Sequence, residues 1–469
     1  PAIFGTLLER ALTAKERSQL GAHYTPRAYV ERLVVPTIME PLQEDWAAVR
    51  VEAQRALDDG NPDKARDIVK RFHTQLCNTR VLDPACGTGN FLYVAMELMK
   101  RLEGEVLEFA SSLGVSGLLE LDRVTVDPHN FLGLELNPRA KEIAELVIWI
   151  GFIKWQIRTG GQDVIRDPVL RDFKTIECKD AVLAWDKQEL LRDQSGKPIT
   201  KWDGQTTKLH PITGEEIPDE TARMELYKYV NPRIATWPEA EFIVGNPPFV
   251  AGQDMREEMG DGYAEALWAS RAKRKWIPNS ADFVMYWWEQ AAHELTAAKS
   301  KLRRFGLVTT NSITQTFNRR VIKHYIDAER PLSVVFGISD HPWVKGNERA
   351  AVRIAMSVAE AGQHQGVLKE VIAEADLGTD APRIEFDTKT GRINADITCG
   401  VDVTGALALR ANESIAHDGV KLHGKGFAIS FNEARAFGLG TIENADSVIR
   451  PYRNGRDLAQ TSRDKYVLD

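Results

Sequence analysis

The sequence predicts an α/β protein built on a doubly wound, mostly parallel, seven-stranded sheet. Seven short apolar runs alternate with segments of helical periodicity, as strands and their covering helices do. The last two runs read as a hairpin, which leaves the others to pair in parallel. A helical N-terminal part and a β-rich C-terminal extension are expected on either side.

Residues 3–20 carry Ile3, Leu7, Leu8 and Leu12 at helical spacing, and Gly21 is a stop. Gly21-Ala22-His23-Tyr24-Thr25-Pro26 follows, then a second helical pattern through Tyr29, Leu33, Ile38 and Leu42. Residues 43–75 are charged and helical. The expected division is a helical segment at 1–75, the sheet domain at 76–361 and the extension at 362–469.

Arg80-Val81-Leu82 is a buried strand, and Asp83-Pro84-Ala85-Cys86-Gly87-Thr88-Gly89-Asn90 is the loop after it. A helix follows with Phe91, Leu92, Val94, Ala95, Leu98, Met99 and Leu102 on one side. Strand, glycine loop and helix cradle a charged small ligand, because the backbone comes close and the helix N-terminus favours an anion. No Lys completes a phosphate loop, and Leu92 stands where the dinucleotide fingerprint needs a third glycine. Asp-x-Ala-x-Gly-x-Gly instead looks like an S-adenosylmethionine loop, with Asp83, Ala85, Gly87, Gly89 and Asn90 as its contacts.

Phe131-Leu132-Gly133-Leu134 is the second strand and ends on Glu135, placed to hold a ribose diol. Asn137-Pro138 starts the next helix. Lys174 to Cys178 is the third strand; Asp180 beyond it can accept from an adenine amine, with Asp172 and Asp186 nearby as competitors. Residues 187–238 are polar and read as an inserted hairpin or two.

Strand four, Phe242-Ile243-Val244-Gly245, runs into Asn246-Pro247-Pro248-Phe249. Two prolines cannot donate to a ladder and stiffen the turn. The turn presents one amide, carbonyls without neighbouring N–H groups and one aromatic ring. Asn246 and the Pro247 carbonyl can accept both hydrogens of an exocyclic amine while Phe249 stacks on its ring. Asn279-Ser280-Ala281-Asp282 caps a helix whose stripe of Phe283, Tyr286, Trp287 and Trp288 is expected to be core. Phe305 to Thr309, Leu332 to Phe336 and Val352 to Val358 are the last strands, the final two joined by a loop with Asp340-His341-Pro342-Trp343 and Arg349.

The chain has 469 residues, 43% of them hydrophobic and 27% charged, with net charge −7. Those values fit a globular protein of roughly two to three domains. No apolar run is long enough to span a bilayer. An acidic chain must meet nucleic acid through a local basic face. The candidates are Arg271, Lys273, Arg274 and Lys275; Lys299, Lys301, Arg303 and Arg304; and Arg319, Arg320 and Lys323. The four cysteines lack metal-ligand spacing, so a reduced, cytoplasmic protein without structural zinc is expected. The chain opens at Pro1, which reads as processing or excision from something longer.

Taken in order, these motifs resemble the N6-adenine DNA methyltransferases of the gamma arrangement, a class I S-adenosylmethionine-dependent family. The matching stretches are Gly21 to Pro26, Asp83 to Asn90, Glu135, Asp180 and Asn246 to Phe249. The sequence is most similar to large single-chain enzymes of restriction–modification and phage-defence systems. Ile449 to Leu458 resembles the stretch before their recognition domain, most of which this chain then lacks. No Asp…Glu-x-Lys nuclease signature stands out. Lys179-Asp180-Ala181 departs from the family in lacking its small-residue lead-in.

The resemblance implies methyl transfer from S-adenosylmethionine to N6 of an adenine flipped out of double-stranded DNA. It makes Asn246, Pro247, Pro248 and Phe249 the catalytic turn, and closes Tyr24, Thr25 and Pro26 over the methionine end of the cofactor. Arg271, Lys273, Arg274, Lys275, Arg303, Arg304, Arg319 and Arg320 become DNA contacts, and no catalytic metal is implied. Nuclease or translocase parts are expected in the full protein or its operon. The turn also suits N4 of cytosine, a protein glutamine amide or an RNA adenine. From a different class, a non-catalytic DNA-binding or specificity module on the same fold is the alternative.

Overall fold

The computed structural model describes residues 25–113, 124–160, 175–202, 206–209, 216–343, 353–375, 383–401, 427–453, 457 and 463–468. The helix expected at 3–20, Tyr24, Lys174 and Arg349 lie outside these residues. The chain separates into two compact units, 1–402 and 403–469.

The first unit begins with helix α1 (Arg27–Val34), a π-helical turn (Val35–Met39) and helices α2 (Glu40–Asp58) and α3 (Pro62–Asn78). Asn61 caps α3, its side chain accepting from the Lys64 N–H at 3.1 Å. Strand β1 (Val81–Asp83), helix α4 (Asn90–Ser112), strand β2 (Phe131–Glu135), helix α5 (Pro138–Gly160) and strand β3 (Ile176–Cys178) follow. Strand β4 (Phe242–Gly245) comes next, then helices α6 (Met255–Met259), α7 (Asp261–Ser270) and α8 (Val284–Thr296). Strand β5 (Arg304–Thr310), helix α9 (Thr316–Ile326) and strands β6 (Leu332–Pro342), β7 (Arg353–Ala361), β8 (Gly366–Ala375) and β9 (Arg383–Gly391) complete the unit.

All nine strands join one sheet in the order β9-β8-β6-β7-β5-β4-β1-β2-β3. Strands β5, β4, β1, β2 and β3 are mutually parallel, and β7 runs antiparallel between β5 and β6. The expected count of seven is therefore corrected to nine. The first two strands beyond residue 361 extend the sheet, so the unit closes at 402 and not at 361. The hairpin of β6 and β7 is present, but β6 runs to Pro342, so Asp340 and His341 are strand and not loop.

Strand alternation sorts the core onto two faces. Val81, Phe131, Phe242 and Val308 pack on one side with α1, α3 and α4. Leu82, Leu134, Ile243 and Leu307 pack on the other with α7, α8 and α9. Buried on both faces, the parallel strands read as continuous apolar runs, which made them legible.

The insertion is a nested antiparallel ribbon. Leu183–Ala184 pairs with Arg233–Ile234, Lys187–Leu190 with Tyr227–Val230, Thr200–Trp202 with Arg223–Glu225 and Thr207–Leu209 with Glu216–Pro218. Its base packs on α7 through Tyr229, which meets Trp185 and Tyr263 edge-on.

In the second unit, strands β10 (Ala428–Ser430), β11 (Ile449–Tyr452) and β12 (Lys465–Leu468) form an antiparallel sheet with β12 central. Ser430 and Glu433 form a capping box at helix α10 (Phe431–Ala436), over a small core of Ile429, Ala434 and Ile449.

Candidate active site

The carboxyl ends of β1, β2, β3 and β4 converge on an open cleft whose empty space, open solvent included, is about 420 Å³. Pro84 and Ala85 border it after β1, Glu135 and Leu136 after β2, Lys179 to Ala181 after β3, and Pro248 after β4. Met259, Tyr263, Phe283 and Trp287 close it from α6 to α8. The lining is mostly apolar, and its polar groups are the Glu135 and Asp180 carboxylates, the Tyr263 hydroxyl and Lys179. That arrangement suits a flat ligand carrying hydroxyls and an amine.

The loop after β1 is left-handed at Gly87 (φ +53°) and Gly89 (φ +78°), and nothing lies within 4 Å of the place a Gly87 side chain would take. Only glycine holds that backbone cheaply and leaves the space open. Gly89 precedes α4, whose first turn has no side-chain cap, which leaves its N–H groups for another acceptor. The Trp287 indole N–H donates to the Pro84 carbonyl at 3.0 Å, tying this loop to α8.

Glu135 is buried and accepts from the Gly87 N–H at 2.9 Å and the Asn137 N–H at 2.8 Å. Each carboxylate oxygen keeps a second lone pair. Burial pushes this carboxyl above its ordinary range. Asp180 accepts from the Val182 and Leu183 N–H groups, both at 2.8 Å, and from the Tyr263 hydroxyl at 2.7 Å. Burial raises it too.

Asp83 is buried beneath the loop, accepts from the Ala85 N–H at 3.0 Å and is pushed up to about 8, chiefly by burial. A side chain on Gly245 would sit 2.5 Å from its Oδ1, so the two strand ends touch only because residue 245 is glycine. Folding thus holds a proton on Asp83 that the unfolded chain releases near pH 4. That stabilisation is complete below the unfolded value and is lost as pH rises towards about 8, at ~1.4 kcal/mol per pH unit. His341, held down to about 4 by burial, pulls the other way between its folded value and ~6.5. Asp83→Asn isolates the first effect. Its unfolding midpoint in urea should gain on the native chain steadily from pH 5 to 8; parallel curves would remove the buried proton.

At the end of β4, the Asn246 Nδ2 donates to the Thr25 hydroxyl at 3.1 Å. The Asn90 Nδ2 donates to the Thr25 carbonyl at 2.6 Å. Thr25 therefore bridges the loop of β1 and the turn of β4. The other end of the Asn246 amide, Oδ1, is buried without a hydrogen-bonding partner. A buried acceptor left unpaired costs ~1–3 kcal/mol, so a ligand donor placed there is strongly favoured. Phe249 is half-buried and edge-on to Trp343, with ring centroids 6.3 Å apart. Behind the turn, Asp282 accepts from the Gly252 N–H, the Ser312 hydroxyl and the Asn318 amide, and the Phe283 N–H donates to the Val250 carbonyl. Asp282 does not cap α8, as its sequence position had predicted; its side chain braces the segment after Phe249.

Asp83, Ala85, Gly87, Gly89, Asn90, Glu135, Asp180, Thr25 and Asn246 to Phe249 thus occupy one region, with Pro26 leading α1 beside it. Tyr24 lies outside the described residues. Half of the expected DNA contacts are corrected. Arg271 is buried, donating to the Val182 carbonyl, and Arg274 pairs with both oxygens of buried Glu289 at 2.8 and 2.7 Å. Arg303 pairs with Asp45, and Arg304 with Glu360 and the Pro36 carbonyl. The Arg271, Arg274 and Arg304 guanidiniums are spent inside the fold, and that of Arg303 is committed to an ion pair at its surface. Lys273, Lys275 and Arg320 are exposed, and Arg319 is half-exposed.

Sequence reasoning missed Tyr263. The stripe of Phe283, Tyr286, Trp287 and Trp288 is core as expected, and Phe283 and Trp287 also border the cleft. Tyr263 carried no motif; its partner Asp180 is 83 residues away.

The family described as the MmeI DNA-methyltransferase domain matches residues 58–369. DNA methyltransferase A of Bacillus subtilis (strain 168) is 21% identical over 318 residues, covering 67% of this chain and 29% of that protein. A putative type II restriction enzyme and methyltransferase of Methanocaldococcus jannaschii is 25% identical over 168 residues, 33% of this chain and 14% of that protein. Among solved structures, the type IIL restriction-modification enzyme MmeI in complex with DNA aligns over 100% of this chain and 53% of its own, at 21% identity and a TM-score of 0.63. The chain spans about half, or less, of the relatives it matches.

Proposed function

The chain belongs to the family of the MmeI DNA-methyltransferase domain, and from that premise we propose that it methylates N6 of adenine in double-stranded DNA with S-adenosylmethionine as donor. The observation that carries the reading is the buried, unpartnered Asn246 Oδ1, two residues before Pro248, which borders the cleft.

The residues fit the cofactor. Leu136, Ala181, Pro248 and Phe283 supply flat walls for an adenine, Asp180 an acceptor for its amine and Glu135 free lone pairs for a ribose diol. The uncapped start of α4 suits the carboxylate of the methionine end. Bound S-adenosylmethionine supplies a methyl group on a sulfonium whose leaving group is a neutral thioether.

On the substrate side, the Asn246 Oδ1 and the Pro247 carbonyl accept the two hydrogens of the amine and turn its lone pair towards the methyl. Thr25 anchors the Asn246 amide from behind. Phe249, steadied by Trp343, offers its ring to the flipped base, a contact worth ~1–3 kcal/mol. No strong base is needed, so catalysis is orientation and electrostatic positioning. Lys273, Lys275, Arg319 and Arg320 would meet phosphates and set register without reading sequence.

Such an enzyme acts in the cytoplasm, within a restriction–modification or phage-defence system, with nuclease or translocase parts in the full protein or its operon. N4 of cytosine presents the same amine to the same acceptor, so product analysis decides between the bases. The test is transfer of tritiated methyl to mixed-sequence duplex DNA by the longest native form. N6-methyladenine among the nucleosides supports the reading, N4-methylcytosine corrects the base, and no transfer with cofactor still bound overturns it in favour of a specificity module.

Glu135→Gln keeps the size of the side chain and removes charge and one acceptor. Calorimetry should show cofactor affinity falling more than tenfold, ~1.4 kcal/mol or more. An unchanged dissociation constant would remove Glu135 from the site.

A further inference from the structure

His73, Cys77 and Glu103 form a buried cluster that methyl transfer does not use. His73 and Cys77 lie one turn apart on α3, and Glu103 faces them from α4. The three ligand atoms form a nearly equilateral triangle. His73 Nε2 is 3.4 Å from Glu103 Oε1, Cys77 Sγ is 3.5 Å from His73 Nε2, and Cys77 Sγ is 3.7 Å from Glu103 Oε1. The His73–Glu103 distance exceeds the ~2.7–3.2 Å of an N–H···O hydrogen bond. The separations lie within about 0.1 Å of the edges of a tetrahedron around one ion, roughly 3.3–3.6 Å for bonds of ~2.0–2.3 Å to nitrogen, oxygen and sulfur.

We propose that His73, Cys77 and Glu103 bind a structural zinc ion. One thiolate, one imidazole and one carboxylate suit a borderline-soft ion, not magnesium or calcium. The Val124 carbonyl lies 3.7 Å from Cys77 Sγ, and the fourth position of the tetrahedron falls to it or to a water molecule. The Thr125 hydroxyl and Val126 N–H donate to Glu103 Oε1 at 2.7 and 3.1 Å, and the Lys100 ammonium to Oε2 at 2.6 Å. Thr125 and Val126 fill both lone pairs of Oε1, so on metal binding the Thr125 hydroxyl turns aside. It still accepts from Lys100 at 2.8 Å, while Val126 and Lys100 hold the carboxylate as outer-shell partners. On binding, the Cys77 S–H bond is exchanged for a sulfur–zinc bond and the proton leaves to solvent, with no redox change.

Position gives the ion a purpose. Helix α3 leads into β1, and residues 124–126 lead into β2 through a turn at Pro128–Asn130. Asn130 adds hydrogen bonds to the Cys77 and Thr79 carbonyls at 2.8 and 2.9 Å. The ion would pin together the roots of the two strands that carry Asp83 and Glu135. Spacing along the chain does not reveal the cluster, because Glu103 lies 26 residues beyond Cys77.

The 469-residue chain, loaded with zinc chloride and dialysed against metal-free buffer, should retain about one zinc per chain by mass spectrometry. Cobalt loading should give a thiolate-to-cobalt charge-transfer band. Cys77→Ser should abolish that band, and His73→Ala should bring retained zinc close to zero. Folding of each variant is checked by circular dichroism; where one fails to fold, the metal content and cobalt spectrum of the native chain decide. Folded native chain with no retained zinc, or a cobalt complex without the band, overturns the proposal and leaves a hydrogen-bonded polar core.

Discussion

Asn246→Ala should lower methyl transfer by at least about a hundredfold while leaving cofactor affinity within a factor of about two. The asymmetry follows from where the side chain sits. Its Oδ1 is the buried acceptor with no partner, and its Nδ2 is spent on Thr25. Removing it deletes the group that aims the lone pair of the amine, and deletes nothing that touches the walls holding an adenosine. Initial rates with tritiated cofactor, paired with calorimetric titration of the cofactor, separate the two. Loss of both would make the turn a structural brace, and loss of neither would move the chemistry elsewhere. Thr25→Val should reproduce part of the rate defect, because the amide can then rotate.

Glu289→Ala should destabilise the first unit by ~3–5 kcal/mol, the largest stability effect expected of a single substitution here. Glu289 is fully buried on α8. It accepts from Arg274 through both oxygens, from the Trp276 indole at 3.2 Å and from the Tyr325 hydroxyl at 2.8 Å; Arg271 lies 3.8 Å away. Alanine leaves the buried Arg271 guanidinium uncompensated, with two of its nitrogens already unpaired, and unties α9 from α8. Urea unfolding measures the loss, which should change little with salt because a buried pair is poorly screened. The same burial predicts that Arg271→Met leaves the salt slope of DNA binding unchanged. Lys273→Ala with Lys275→Ala should lower that slope by about one for each phosphate no longer neutralised. The opposite pattern would restore Arg271 to the DNA face.

The corrected residues show where sequence runs out. Arg271 and Lys273 are two positions apart in one basic run, yet one is buried against Glu289 and the other faces solvent. Charge is a property of the residue, whereas its partner is chosen by packing. The strand count failed for a related reason. In β9 at the sheet edge, half-buried Ile384 and Phe386 alternate with exposed Arg383, Glu385 and Asp387. In β8, Lys369 and Glu370 interrupt the apolar residues, so both strands lack the solid apolar runs of the parallel centre.

What the sequence determined by itself is the local chemistry. The Asp83–Asn90 loop, the acid at Glu135 and the Asn-Pro-Pro-Phe turn are contiguous, because tight turns and helix starts are built from neighbours and leave fixed residue types at fixed spacing. Only the tertiary structure decided which distant groups meet. It brought Thr25 to Asn246 across 221 positions, Tyr263 to Asp180 across 83, and His73 and Cys77 to Glu103. Those meetings depend on which strand ends share one edge of the sheet and which helix faces pack together. No short stretch of sequence encodes either.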